Sequence, residues 1–421
     1  MNSAVIPPSR RGPPCSRSNR AARTAARGYW GLVAAGEPFR LLFPLGAAMG
    51  IFGVMMWPLF VWNVTSVYPG VAHARIMIEG FLACFVVGFL GTALPRLLGV
   101  PRVTLLESLL NAAALLLAVV LHASGRTLWG DVVFFCVMGT LVFTLLVRAL
   151  FRNDTPPPAF VLVALGMLCA LAGSFSQIIA VVAPSILPDW LPPLGKLMLS
   201  QGFLLLPIMG IGAFLLPRFF GLPNRQSLPE SLALPPGWIP KAAFAAACGA
   251  AVLGSFVLEV HGFRQAGYAL RALAVLVYFF CEVPVHQAGW GGGSLALGLR
   301  ISLFSIPLGY LLLAAMPERT FTFLHVVFIT GFSLLTFTVA SRVVLGHSGQ
   351  TEKFRASLRS VLVLSALVAL AMLTRVTADW LPRVTMSHYA YAAVAWSLGV
   401  LIWAAAILPG VRVMDTSSQE S

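Results

Sequence analysis

Charge is what this chain has least of. Only 10% of its 421 residues are Asp, Glu, Lys or Arg, against about 25% in a typical soluble domain. With 58% hydrophobic residues, no water-soluble shape of this size could hide the apolar surface. Strand-like alternation is also missing from the apolar runs, which disfavours a barrel, because a spanning segment must satisfy its backbone groups internally. Paired cysteines are missing too. Cys15, Cys84, Cys136, Cys169, Cys248 and Cys281 include no pair at metal-finger or redox spacing, and five of the six fall inside apolar runs. They read as small packing residues rather than disulfides or zinc ligands.

What is present is a series of apolar runs, each long enough to cross about 30 Å of hydrocarbon as a helix. The expected fold class is all-α, a polytopic transmembrane bundle of about twelve helices with membrane lipid as its solvent. The expected spans are 41–63, 76–95, 103–121, 128–149, 159–184, 194–216, 240–260, 267–285, 295–316, 321–343, 356–376 and 387–408. Arg271, Glu282 and Arg300 interrupt the eighth and ninth. Residues 1–28 read as a disordered Arg-rich tail, 29–410 as one membrane domain and 411–421 as a short C-terminal tail. The segment from Leu41 is as long as a full span and is not followed by an A-x-A-like cleavage site, so it reads as a retained first helix.

The formal charge of +14 raises the question of a polyanion partner. Under a twelve-span topology with the N-terminus inside, 20 of the 28 Lys and Arg fall on the cytoplasmic side and 8 on the other. Orientation explains such a bias, so no nucleic-acid partner is expected and both termini are expected in the cytoplasm. The Pro-rich loop 217–240 divides the spans six and six, as in a transporter built of two halves, although the halves show no convincing sequence match.

Ionisable groups within spans are costly, which singles out Glu79, Glu107, Glu259, Arg271 and Glu282. Arg75 and Glu79 stand four residues apart, as do Glu282 and His286, so each pair shares a helix face. Either these are neutralised pairs that make insertion tolerable, or they line a path for a solute or proton. Of the seven histidines, His73, His122, His261, His325 and His388 fall at expected outer ends of spans, and His286 and His347 at inner ends. Each alone reads as a headgroup-level residue; several entering one bundle cavity could hold a metal or haem. His73, Met77 and Gly80 share the i, i+4, i+7 face, with two soft ligands among them.

The stretch from Phe323 to Gly349 carries more information. His325, Gly331, Arg342, Leu345, Gly346, His347 and Gly349 match the pattern of the NnrS family, in which a helix begins with His and ends in Arg-x-x-Leu-Gly-His-Thr-Gly; Ser348 replaces the Thr. Pro38-Phe-Arg-Leu-Leu-Phe and the segment Ala72 to Leu82 extend the likeness. His73, Met77, Gly80 and Phe81 match a His-Ala-His-Glu-Met…Gly-Phe pattern, while Arg75 and Ile76 replace its second His and its Glu. The segment Gly210 to Phe220 is similar to a Gly-Gly-Arg-x-x-Pro region without its Arg. The chain thus resembles NnrS proteins over most of residues 37–410.

This resemblance implies a multi-pass protein of the bacterial inner membrane, similar to proteins that contain haem and copper and act in the response to nitric oxide. With it, the candidate cofactor contacts are His73, Arg75, His325, His388, Arg342 and His347 and the candidate metal ligands His73, Met77, His325 and His388, where His388 is included for its place on the same expected side as His73 and His325; nitric oxide is the small ligand the resemblance implies. Arg75, in place of the second His, is expected to pair with a haem propionate. A permease using intramembrane Glu and Arg residues, or an assembly factor, is the alternative.

Overall fold

The computed structural model describes residues 28–226 and 232–414. Most of the Arg-rich tail, Cys15 and the last residues of the C-terminal tail lie outside these. Among the described residues the chain is helical, with no strand. Eleven helices are long and apolar enough to cross a membrane: α1 (Phe39–Val61), α2 (Gly70–Leu97), α3 (Leu105–Ala123), α4 (Thr127–Ala149), α5 (Phe160–Val182), α6 (Leu191–Phe220), α7 (Trp238–Val260), α9 (Gly293–Ala315), α10 (Pro317–His347), α11 (Arg359–Trp380) and α12 (Thr385–Arg412). Between α7 and α9 lies α8 (Arg264–Glu282), 19 residues long and packed against both.

The expected eighth span is therefore a helix, but its charges leave it less apolar than the other eleven. Arg271 is tolerated there because every part of its guanidinium is occupied. Nε donates to Ser255 Oγ at 2.9 Å, Nη1 to Gln201 Oε1 at 2.7 Å and Nη2 to Glu259 Oε2 at 2.7 Å. The rings of Phe256 and Tyr310 lie 4.4 and 5.2 Å from the guanidinium carbon. Helix ends follow local chemistry as well. Thr104 and Glu107 form a reciprocal capping box that starts α3, and α6 stops at Gly221, whose φ of 70° suits a residue without a side chain.

The six-and-six division does not describe the packing. Sequential helices pack side by side and α12 closes against α1, while α2, α6 and α10 are the most buried of the eleven. Each of these three inner helices contains a π-helical segment, Ile76–Leu82, Met198–Gly202 and Val326–Ser333, and each segment ends within one residue of the phenylalanine of a polar-Gly-Phe triplet: Glu79-Gly80-Phe81, Gln201-Gly202-Phe203 and Thr330-Gly331-Phe332. Between α2 and α6 the likeness continues at matching offsets through Gly88 and Gly210, Pro95-Arg96 and Pro217-Arg218, and the terminal Gly99 and Gly221. The bundle is thus three successive four-helix units, with the second helix of each unit turned inward. The three inner helices share a narrow apolar cleft of about 90 Å³, lined by residues such as Phe85, Ile208 and Val339.

Candidate functional site

The N-terminal parts of α2 and α10 bring His73 and His325 to the same end of the bundle, His73 three residues before the π-helical segment of its helix and His325 immediately before that of its own. His73 Nδ1 lies 2.9 Å from the Gly53 carbonyl of α1, and His325 Nδ1 lies 2.5 Å from the Phe321 carbonyl. A carbonyl oxygen only accepts, so in each neutral ring Nδ1 is the protonated nitrogen and Nε2 keeps its lone pair. Neither Nε2 has a hydrogen-bond partner among the described residues. The charge of His73 reaches His325, and that of Arg375 reaches both rings.

Arg375 is fixed over the ring of Tyr389 at 4.0 Å and donates to Asp379 at 3.2 Å; Tyr389 donates its hydroxyl proton to the same carboxylate at 2.9 Å. The Trp57 ring stands between Tyr389 and His73, with centroids 5.1 and 6.0 Å away. Met77 shares the His73 face, as the spacing predicts. Its Sδ lies 3.1 Å from where a Cβ on Gly53 would stand, so His73 and Met77 both sit over that glycine. Gly80, on the same helix, lets α3 approach: a Cβ there would meet Val119 Cγ2 at 2.5 Å.

The other expected contacts are placed elsewhere. His388 bonds through Nδ1 to the Val384 carbonyl at 3.1 Å and faces Tyr391; none of its hydrogen bonds or ring contacts reaches His73 or His325. Arg342 and His347 lie at the opposite end of α10, 17 and 22 residues beyond His325, which at 1.5 Å per residue is roughly 25–33 Å away. They cannot contact a group held by His73 and His325 through its metal. Arg342 is held between the rings of Phe219 and Phe354 at 4.4 and 4.2 Å.

His347 joins a polar lock with Glu37, Arg40 and Arg96, in which its Nδ1 is 3.1 Å from Glu37 Oε1. Arg40 donates to the carbonyls of Val411, Val413 and His347, tying α1 to the ends of α10 and α12. Burial alone would raise the Glu37 pKa, but the hydrogen bond and charge of His347 and the Arg40 guanidinium outweigh it and hold the carboxyl at about 2.

Arg75 also departs from expectation. Its guanidinium is turned into the protein, donating to Glu79 Oε1 at 3.1 Å, Asp131 Oδ2 at 3.1 Å and Gln177 Oε1 at 3.4 Å, which leaves it committed to protein partners rather than to a propionate. The i, i+4 pairing with Glu79 is formed. The equivalent pairing of Glu282 with His286 is not, because α8 ends at Glu282. That carboxylate accepts from Gln226 Nε2 at 2.7 Å instead, and His286 stacks on Phe280.

Around Glu79 a second group of polar side chains converges. His122 Nε2 lies 3.0 Å from Glu79 Oε2 and 4.0 Å from Asp131 Oδ1, and all three residues are buried. Sequence reasoning placed His122 only as one of several outer-end histidines and passed over Asp131 and Gln177. The signal was available: Asp131 is an acid within the apolar run of α4, where ionisable groups mark interior sites.

Fold and site together define a polytopic helical membrane protein with an imidazole pair near one face of its inner helices. The NnrS family, described as NnrS protein, matches residues 34–411, and the chain belongs to that family. No curated protein matches the chain.

Proposed function

We propose that this protein holds a haem or copper at His73 and His325 and serves in the response to nitric oxide in the bacterial inner membrane, with both termini in the cytoplasm. The observation that carries the reading is the pair of imidazoles from two inner helices, each with Nδ1 anchored on a backbone carbonyl and Nε2 unused. A histidine whose far nitrogen is fixed by an acceptor is the usual form of a metal-ligating histidine. The donor set suits both groups: two imidazoles for a haem iron, or two imidazoles with the Met77 thioether beside them for copper.

When bound, such a metal supplies a site for a small diatomic ligand, and nitric oxide, which partitions into lipid, reaches such a depth without a charged path. The protein's own contribution is orientation and field. Gly53 and Phe321 fix the ring tautomers, and Arg375, pinned by Asp379 and Tyr389, places a positive charge beside the pair. His388 enters only as an additional ligand after movement of its ring, and Arg342 and His347 act as anchors at the opposite face.

The permease alternative draws less support, because the intramembrane charges are consumed by partners. Arg271 has three hydrogen-bond acceptors and Arg75 likewise, so neither is left for a passing solute. Visible absorption and metal content of protein purified from haem-replete cells test the proposal. Wild type is expected to carry iron or copper, and His73→Ala and His325→Ala to lose it or change its spectrum at near-normal abundance. A colourless, metal-free wild type, or two variants with unaltered spectra, overturns it.

A further inference from the structure

We propose that Glu79, His122 and Asp131 form a second metal site, separate from the His73–His325 pair, that takes a divalent first-row cation in an oxygen-rich ligand set. The case begins with the positions of three atoms. Glu79 Oε2, His122 Nε2 and Asp131 Oδ1 converge from α2, α3 and α4, and one ligand atom of each residue lies within 4.8 Å of those of the others. The edges of 3.0 and 4.0 Å measured from His122 Nε2 fall inside the range of about 3 to 4.4 Å available to ligands held roughly 2.0–2.2 Å from a common ion.

A buried carboxylate oxygen left without a donor is the second observation. Among the described residues Asp131 Oδ1 and His122 Nδ1 have no hydrogen-bond partner, although Asp131 is only 3% exposed and His122 fully buried. Such an orphan is costly in a dry site, and Asp131 Oδ1 points toward the other two donors. Arg75 explains why it is left free. The guanidinium takes Glu79 Oε1 and Asp131 Oδ2, one oxygen from each carboxylate, and so turns the remaining oxygen of each toward His122.

Charge favours a cation in the gap. Two carboxylates against one guanidinium leave the cluster a negative charge in excess, and the Gln177 amide, which accepts from the same guanidinium, donates to the Pro192 carbonyl. A proton bridging Glu79 and His122 neutralises that charge but leaves Asp131 Oδ1 4.0 Å from His122, too far for a hydrogen bond, and a proton shared between the Glu79 and Asp131 carboxyls joins two of the three residues only. A divalent ion reaches all three. In the neutral His122 ring the proton now lies on Nε2, facing Glu79; as the ion takes that place the proton moves to Nδ1, which has no acceptor among the described residues, unlike Nδ1 of His73 and His325.

The donor set, two carboxylates and one imidazole, suits zinc, manganese or ferrous iron better than a site built of thiolates or thioethers. The two sites are distinct on the helix. His73 and Met77 face Gly53 of α1, whereas Glu79 faces His122 of α3 and Asp131 of α4.

Zinc content after equilibration with Zn²⁺ and desalting tests the site. Wild type should retain about one ion at this position, Asp131→Asn and His122→Gln should lose it, and a His73→Ala/His325→Ala double variant should keep it. Asp131→Asn changes shape least and guards against simple misfolding. Zinc absorption spectroscopy on the double variant gives an independent reading, with one nitrogen among mainly oxygen ligands expected. Failure of wild type to retain zinc, retention by both single variants, or loss only in the double variant overturns the assignment. The visible spectrum reports separately on the first site, so a colourless protein with zinc in place would defeat the haem reading and leave this one standing.

Discussion

Replacing Arg271 with Met removes a charge from the middle of a helix that is otherwise apolar, and hydropathy alone predicts a gain in stability. The structure predicts the opposite. Arg271 is fully buried and is the cation facing Glu259, whose side chain is 12% exposed. The Met variant leaves that carboxylate with only the Tyr268 hydroxyl as donor at 2.9 Å, and leaves Ser255 Oγ and Gln201 Oε1 without their guanidinium partner.

Breaking a buried ion pair from one side costs about 3–5 kcal/mol in soluble proteins. Hydrogen bonds within bilayers are worth less than expected because the unfolded helices find other partners, so roughly 2–4 kcal/mol is the expected loss. Adding Glu259→Gln should recover about half or more of it, since an amide does not carry the uncompensated charge. Unfolding in graded denaturing detergent, followed by helical circular dichroism on wild type, both single variants and the double variant, measures the coupling. A loss below about 1 kcal/mol for Arg271→Met, or a double variant no better than the sum of the singles, would refute the view that this pair holds α8 in the bundle.

Acid should weaken the lock at the opposite face. A carboxyl whose folded pKa is depressed from 4.5 to about 2 contributes stability present above pH 4.5 and lost as pH falls toward 2. After discounting for its partial exposure this is about 1–2 kcal/mol; detergent stability of wild type and Glu37→Gln should differ at pH 6 and converge near pH 2. Arg342→Lys keeps the charge but loses the planar group stacked between Phe219 and Phe354, so folded abundance should fall modestly, by about 1 kcal/mol in unfolding measurements. Unchanged abundance, stability and nitric oxide tolerance would reduce this residue to a charge anchor. Reporter fusions after Arg126 and after Ser421 should report opposite sides of the membrane, and the same side would mean that α8 does not cross.

The helices themselves were legible in the sequence, since apolar length is a local property that fixes where a segment enters and leaves lipid; Glu107, expected as an ion within a span, is instead the capping partner of Thr104 at the start of α3. So was family membership, carried by His325, Gly331, Arg342 and His347 within one helix. The likeness of α2 and α6 was also written in the chain, at Gly-Phe, Pro-Arg and the closing glycine. It was hidden by looking for two halves rather than helices four apart.

What the linear chain could not decide is which residues from different helices meet. Arg75 stands two residues from His73, yet a helix turns 200° over two residues, and the packing of α3, α4 and α5 against α2 draws it toward Glu79, Asp131 and Gln177. Arg342 and His347 share a helix with His325 but lie most of a membrane thickness away. His122 is an ordinary span-end residue in sequence and Asp131 a lone acid within a span, and they become a carboxylate–imidazole cluster only because α4 folds back along α3. The span pattern follows from transfer of single segments into lipid, whereas the sites depend on the azimuth of each helix, and that is set by packing among neighbours.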